Sequence, residues 1–263
     1  MPMIAFVLAA ADDGPMIVNR LDGHTNDHGA FGVGIELLST GAHDRQDIDG
    51  LRGILTLRQQ HHGDGVVALD LGANIGTHTV AWARTMRDWG RVLAVEAQER
   101  VFYALAGNIA LNNLFNAKAM CAVVSARDGW LNVPVLDHQR PASFGSLELI
   151  RATDEDIGQI PQVHTVVRML TIDFISEGDR VDLIKLDIEG MEVTALEGAE
   201  STIERCRPVI FAEWLKCGQE RLRTWLEERG YVTHVLGMNI LAVHESDPIG
   251  GHITPRQEKT PEA

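Results

Sequence analysis

The run Val66-Val67-Ala68-Leu69-Asp70-Leu71-Gly72-Ala73-Asn74-Ile75-Gly76-Thr77-His78 constrains the fold more than any other stretch of the chain. Its first four residues are apolar and partly β-branched, the composition of a strand covered on both faces. Asp70 stands at the carboxyl end of that strand. Gly72 and Gly76 bracket a turn where backbone must approach a ligand closely or take a conformation that side chains resist. Thr79 to Ala83 then continues at helical period. Strand, glycine turn and helix in that order predict the first unit of a parallel α/β sheet, with a ligand crevice outside the carboxyl ends of its strands.

The spacing narrows the ligand. A dinucleotide fold carries G-x-G-x-x-G and sets a pyrophosphate on the helix N-terminus. Here the pattern is Asp70-x-Gly72-x-x-x-Gly76. An acid ahead of the first glycine repels a pyrophosphate and suits a ligand bearing an ammonium and a sulfonium. About 20 residues beyond Gly76, Val92-Leu93-Ala94-Val95-Glu96 reads as a second buried strand ending in an acid, the place where ribose hydroxyls are bound. Asp70, Gly72, Gly76 and Glu96 together point to S-adenosylmethionine.

These residues resemble the binding signature of Rossmann-like (class I) methyltransferases. The later run Leu183-Ile184-Lys185-Leu186-Asp187-Ile188-Glu189-Gly190-Met191-Glu192, followed by Leu196-Glu197-Gly198-Ala199, resembles the FkbM family more narrowly. That family carries D-x-G-A-N-x-G-x-x-T/S and I-K-x-D-x-E-G-x-E elements at this separation, and the resemblance covers roughly Gly65 to Trp214. It implies an α/β, Rossmann-like sheet, mostly parallel with a C-terminal antiparallel hairpin. It also implies S-adenosylmethionine-dependent methyl transfer to a hydroxyl of a sugar or natural product, so the expected partner is a small-molecule or glycan acceptor. In the resembling family a serine-containing loop lies near the cofactor and substrate, which here corresponds to Pro141–Leu147.

Methyl transfer from a sulfonium is an in-line displacement with an activated donor, so alignment and exclusion of water are the main tasks. An aliphatic hydroxyl also needs a base or a metal. Asp187 is the first candidate base because it ends an apolar strand; Glu189 and Glu213 follow. Glu189 and Glu192 have a competing role as first-turn acids capping the next helix. Asp187 and Glu213 are also placed to share a hard cation such as Mg²⁺. Catechol-type methyltransferases do this with an acid followed by Asp or Asn, whereas Glu213 is followed by Trp214. Lys185 interrupts an apolar strand, where an unpaired charge is costly, and predicts an ion pair with Asp70 or Glu213 or a contact to substrate. On the cofactor side, Asp70 is expected to organise the methionine end and Glu96 the ribose. Gly72 and Gly76 allow close approach, and Asn74, Thr77, His78 and Asp187 line the methionine and substrate side. Ala97 and Gln98 line the adenosine side, with Ser125 near the adenine. Thr77 equally suits a helix N-cap.

Strands alternate with helices from Val66 onward. Predicted helices run over Gly76–Arg87, Phe102–Leu111, a short turn from Thr171, Met191–Glu204 and Gln219–Arg229. Predicted strands run over Ala119–Ser125, Trp130–Val135, Val163–Arg168, Val181–Leu186 and Arg207–Glu213. Pro134 sets its strand at an edge, and Val163–Arg168 is read as a further edge strand. Tyr231–Leu236 and Ile240–His244 form a hairpin. Three domains are expected: residues 1–64 as a cap or lid, 65–246 as the cofactor-binding domain, and 247–263 as a flexible tail. In the cap a helix spans about Ile48 to Gln60. His61-His62 and His24–His28 are read as turn and loop histidines rather than metal ligands. Met3–Ala11 lacks a basic leader and meets Asp12-Asp13, so it reads as a strand or packing segment rather than a signal peptide.

The net charge of −14 excludes a nucleic-acid phosphate partner and an anionic membrane surface. Three cysteines without C-x-x-C predict a reducing compartment, hence the cytoplasm. A homodimer is one option for the oligomeric state. The competing readings are an NAD-dependent Rossmann oxidoreductase, opposed by the missing G-x-G-x-x-G, and a non-catalytic protein that binds S-adenosylmethionine.

Overall fold

The computed structural model describes residues 4–26, 29–150 and 156–253. The first part of the chain forms the hairpin β1 (Phe6–Ala11) and β2 (Gly14–Asn19), the short pair β3 (His24–Asn26) and β4 (Gly29–Phe31), and the helices α1 (Val33–Thr40) and α2 (Arg45–His62). The alternating part follows as β5 (Val66–Leu71), α3 (Thr77–Thr85), β6 (Gly90–Glu96), α4 (Glu99–Leu111), β7 (Ala117–Cys121), β8 (Val123–Val124), β9 (Gly129–Val135), β10 (Val163–Leu170) and α5 (Ile172–Ser176). It ends with β11 (Leu183–Leu186), α6 (Glu192–Glu197), α7 (Glu200–Cys206), β12 (Val209–Glu213), α8 (Gln219–Glu227), β13 (Tyr231–Leu236), β14 (Asn239–His244) and a 3-10 turn over Pro248–His252.

The main sheet has seven strands in the order β7-β6-β5-β11-β12-β14-β13. Its first five are parallel, and β14 runs antiparallel to both β12 and β13. This is the mostly parallel α/β sheet with a terminal hairpin that the sequence predicts. The strand period of two sorts β5 between the two faces. Val66 and Ala68 join a core with Trp82, Leu55 and Phe211, while Val67, Leu69 and Leu71 join another with Ile184, Ile210 and Leu226. Burial on both faces explains the continuous apolar runs. The register sets Asp70 beside Lys185 of β11.

Several boundaries differ from the sequence reading. The strand expected over Ala119–Ser125 divides: β7 stays in the main sheet and β8 joins a three-stranded sheet in the order β8-β10-β9. There β9, with Pro134, is an edge as predicted, but β10 is central rather than an edge. The helix expected over Met191–Glu204 breaks between α6 and α7 at Gly198, whose backbone passes so close to the Ser125 carbonyl oxygen that a Cβ there would lie 2.4 Å from it. Thr171 caps α5 by accepting the Phe174 N–H.

The cap is more ordered than its glycine content suggests. Asn108 of α4 pins the first hairpin: its side chain accepts the Ile17 N–H at 2.5 Å and donates to the Ile17 carbonyl at 3.2 Å. His61 and His62 are the last residues of α2 rather than a turn, and Gly63 (φ 77) ends that helix. His24 lies 3.2 Å from Asp156, whereas Asp27 and His28 fall outside the described residues. Residues 247–253, expected in a flexible tail, pack against the domain. Arg58 pairs with both Asp182 and Asp247, and Ile249 is buried. Residues 254–263 lie outside the described residues. Among the described residues no helix is long and apolar enough to cross a membrane.

Candidate active site

A cavity of about 430 Å³ opens at the carboxyl ends of β5, β6, β11 and β12. Phe31–Val33 and His43–Asp47 of the cap form part of its wall, and the loop around Ser143–Leu149 forms another part. A topological switch point is where such a sheet has room for a ligand, and β5 is where the strand order reverses here.

On the β6 side the backbone of the glycine turn holds Glu96. The N–H of Asn74, in left-handed conformation (φ 50), donates to Glu96 Oε2 at 3.0 Å. The N–H of Gln98 donates to Oε1 at 2.8 Å. Burial outweighs these bonds and pushes the carboxyl up to about 7. Gln98 donates its side-chain N–H to the Phe144 carbonyl at 2.7 Å, which ties the serine loop to this wall. Gly72 cannot be replaced: its φ is 76, and a Cβ would stand 1.8 Å from the Asp187 carbonyl oxygen.

Asp70 departs from the expectation. It is fully buried and does not line the cavity. Its carboxylate accepts the Thr79 hydroxyl at 2.5 Å and lies 3.5 Å from Lys185 Nζ. Asp70 therefore supports the cavity from beneath. Lys185, which does line it, also sits 3.4 Å from Asp187 Oδ2 and 3.4 Å from the Gly72 carbonyl. Burial opposes its charge, but Asp187, Asp70 and Asp44 outweigh burial and raise its pKa. The pairing predicted with Asp70 is present; Glu213 is not its ion-pair partner.

Asp187, Glu189 and Glu213 meet at the β11–β12 side of the same cavity. Lys216 Nζ lies 2.5 Å from Glu189 Oε2 and donates to the Ser146 carbonyl at 3.0 Å. Burial and the Asp187 charge push Glu189 well above the usual carboxylate range. Burial, Asp187 and Glu192 push Glu213 up to about 8. Glu192 caps instead of lining the site, its Oε1 accepting the N–H groups of Ile188 and Gly190 at 3.0 and 3.2 Å.

Of the site residues named from the sequence, Gly72, Asn74, Thr77, His78, Glu96, Ala97, Gln98, Asp187, Glu189 and Glu213 line the cavity. Gly76 and Ser125 do not. Gly76 (φ 91) starts α3 against Leu105, and the Ser125 N–H is spent on the Leu170 carbonyl, so Ala122 to Val124 line the wall instead. Thr77 makes no cap bond; Gly76 occupies the N-cap position. His78 is buried edge-on to Trp82, and burial with Lys185 and His43 nearby holds its pKa well below the usual range.

The sequence reading missed His43, Asp44, Asp47, Lys216 and Asn239 as lining residues. His43 Nδ1 lies 2.8 Å from Glu36 Oε2 and its Nε2 lies 3.4 Å from Asp44 Oδ2. Asn239 donates to Asp47 at 3.2 Å. No local motif marks these residues, because long-range packing alone brings them to the strand ends. Among the described residues no group of three or more His, Cys, Asp or Glu is arranged to hold a metal ion.

Solved structures of methyltransferases are similar to this chain at low identity. A FkbM methyltransferase from Methylobacillus flagellatus KT is 18% identical with a TM-score of 0.45, over 69% of this chain and 43% of that one. The chain thus spans less than half the length of that protein. A precorrin-6y C5,15-methyltransferase from Geobacter metallireducens GS-15 is 14% identical with a TM-score of 0.43, over 77% of this chain and 90% of that one. Among curated proteins, the methyltransferase sdnD of Sordaria araneosa is 28% identical over 188 residues, 62% of this chain and 72% of that protein. The methyltransferase FkbM domain model matches residues 70–233, more than half of the chain. That span opens on Asp70 and takes in Glu96, Asp187, Glu189 and Glu213, so the chain that builds this cavity belongs to the FkbM family of methyltransferases.

Proposed function

We propose that the chain transfers a methyl group from S-adenosylmethionine to a hydroxyl oxygen of a sugar or natural-product acceptor, with Asp187 taking the hydroxyl proton. The observation that carries this reading is one continuous cavity with a backbone-anchored Glu96 on one side and Asp187 on the other. The residues present fit the cofactor. The Glu96 carboxylate, fixed through both oxygens, suits a vicinal diol. Gln98 Oε1 and His78 Nε2 are buried without partners in the wall of the same cavity. The surrounding acids complement a cationic ligand. Glu96, Asn74 and Gln98 would hold the nucleoside, and Gly72, Thr77 and His78 the methionine end. When bound, S-adenosylmethionine supplies a methyl group already activated on its sulfonium.

The chain's own residues then have distinct tasks. Lys185 fixes Asp187 from below. Burial and like charge keep Glu213 protonated at neutral pH in the ligand-free protein and Lys216 engages Glu189, which leaves Asp187, with a side chain 40% exposed, to receive the hydroxyl proton. The serine loop and the cap exclude water. The hydroxyl acceptor is the family's implication, and the net charge of −14 supports a small molecule over a nucleic acid.

The test is incubation with methyl-labelled S-adenosylmethionine and a panel of sugars and hydroxylated natural products. Label should appear on oxygen, and Asp187→Asn should bind S-adenosylhomocysteine normally yet turn over at least 100-fold more slowly, within the roughly 10²–10⁴-fold range of a lost general base. Wild-type turnover in Asp187→Asn moves the base elsewhere, and label found on nitrogen overturns the oxygen acceptor.

A further inference from the structure

Glu213 is one of the acids of this cavity that the proposed chemistry leaves unused. Among the described residues its carboxylate has no hydrogen bond or ion pair, only burial and the charges of its neighbours. The groups facing it come from every neighbouring element. Asp187 and Glu189 follow β11, Glu192 opens α6, and Cys217 donates to the Glu213 carbonyl at 3.5 Å. Asp47 of α2 approaches through Asn239, which is the register partner of Glu213 on β14. The cations nearby have partners already: Lys185 sits on Asp70 and Asp187, and Lys216 on Glu189 and the Ser146 carbonyl. Acids therefore outnumber cations around open space. His78, whose buried Nε2 meets no partner, lines the same cavity beside Lys185 and His43 and carries no compensating charge.

Position gives this excess a meaning. Glu96 on β6 and Glu213 on β12 are three strand positions apart. At about 4.8 Å per strand that is roughly 14 Å. A nucleoside held at Glu96 leaves the Glu213 end for the reacting centre. We infer that the Glu213 end of the cavity, walled by Asp187 and Glu189, is a subsite for a positively charged onium group that ionises Glu213 as it binds. The inference rests on the cofactor reading above. The charge has two sources, the sulfonium of the methyl donor or an ammonium on the acceptor. Burial and like charge push the empty site's Glu213 up to about 8, so a cation that enters at neutral pH displaces a proton.

Calorimetry on the full chain, in chelator-treated buffers of different ionisation enthalpy, separates the sources. One arm compares S-adenosylhomocysteine, a neutral thioether, with sinefungin, which carries an amine at that place. The other titrates the S-adenosylhomocysteine complex with glucosamine and with N-acetylglucosamine. At pH 7 the cationic member of one pair should release about one proton that its neutral partner does not. In that arm the cation-to-neutral affinity ratio should rise roughly tenfold per pH unit between about pH 5 and 7, where the ligand's amine is still charged and Glu213 still protonated in the empty site. Release in the sinefungin arm assigns the subsite to the donor, and release in the glucosamine arm assigns it to an acceptor ammonium. Glu213→Gln should remove the release, and release that persists in this variant takes the subsite away from Glu213. The wild-type ratios decide the matter even if the variant fails to fold. Binding of S-adenosylhomocysteine with no proton release in either arm overturns the inference alone. Failure of S-adenosylhomocysteine to bind overturns the cofactor reading instead.

Discussion

Asp70 and Glu96 close neighbouring strands of the same motif, yet they do different work. Glu96 reaches the cavity, whereas Asp70 lies under it between Thr79 and Lys185. The sequence showed both as strand-end acids, and only the packing distinguishes them. Removing Asp70 leaves Lys185 buried with a weaker set of partners, so Asp70→Ala should destabilise the fold by about 3–5 kcal/mol. Urea unfolding measures this, and wild-type stability would contradict the supporting role. Asp187, Glu189 and Glu213 were legible as acids at or just beyond strand ends, but only packing shows that Asp187 stays open to the cavity while Lys216 engages Glu189 and burial holds Glu213. His43 was not legible at all. Its value to the site comes from Glu36 and Asp44, which hold it at the cavity wall.

At the scale of elements, periodicity located most strands and helices but not their breaks. The division between β7 and β8 and the gap between α6 and α7 are coupled, because Gly198 packs its backbone against Ser125 just beyond β8. Sequence windows do not contain such a contact. Gly198→Ala should push these segments apart and cost about 1–3 kcal/mol, the usual range for overpacking. A thermal midpoint equal to wild type would show that the segments part freely. The first hairpin depends similarly on Asn108, whose side chain also donates to the Ile75 carbonyl at 2.8 Å. Asn108→Ala leaves the Ile17 N–H and carbonyl without those partners and should cost about 1–3 kcal/mol per stranded group. Hydrogen exchange at Ile17 should accelerate, and unchanged protection there would mean the hairpin holds itself.

Across the whole molecule, the sheet order and the place of the cavity were legible because the glycine turn and the two strand-end motifs fix a parallel sheet and its ligand side. The cap was legible only as a first strand or packing segment and one helix among loops, since α1 and the strands β2 to β4 lack a strong period and gain their order from the domain they cover. The buried acids give the molecule a pH signature. Asp22 is raised to about 6, Glu96 to about 7 and Glu213 to about 8, each with burial as the leading cause. The folded protein binds these protons more tightly than the unfolded chain. Their contribution to stability is therefore full below the ordinary carboxylate range and is lost as pH rises from about 4 through 8. Buried His78 and His138, held neutral in the fold, oppose this trend below the ordinary histidine range, so denaturant midpoints of the ligand-free protein should fall between about pH 7 and 8, and the fall should shrink in Glu213→Gln. Midpoints that rise throughout would contradict the placement of these acids. The most direct test of the central claim is calorimetric titration of the ligand-stripped protein with S-adenosylhomocysteine beside NAD, in wild type and Glu96→Ala. Binding of S-adenosylhomocysteine alone, lost in the variant, is the predicted result; binding of NAD in its place, or of neither, would contradict the account.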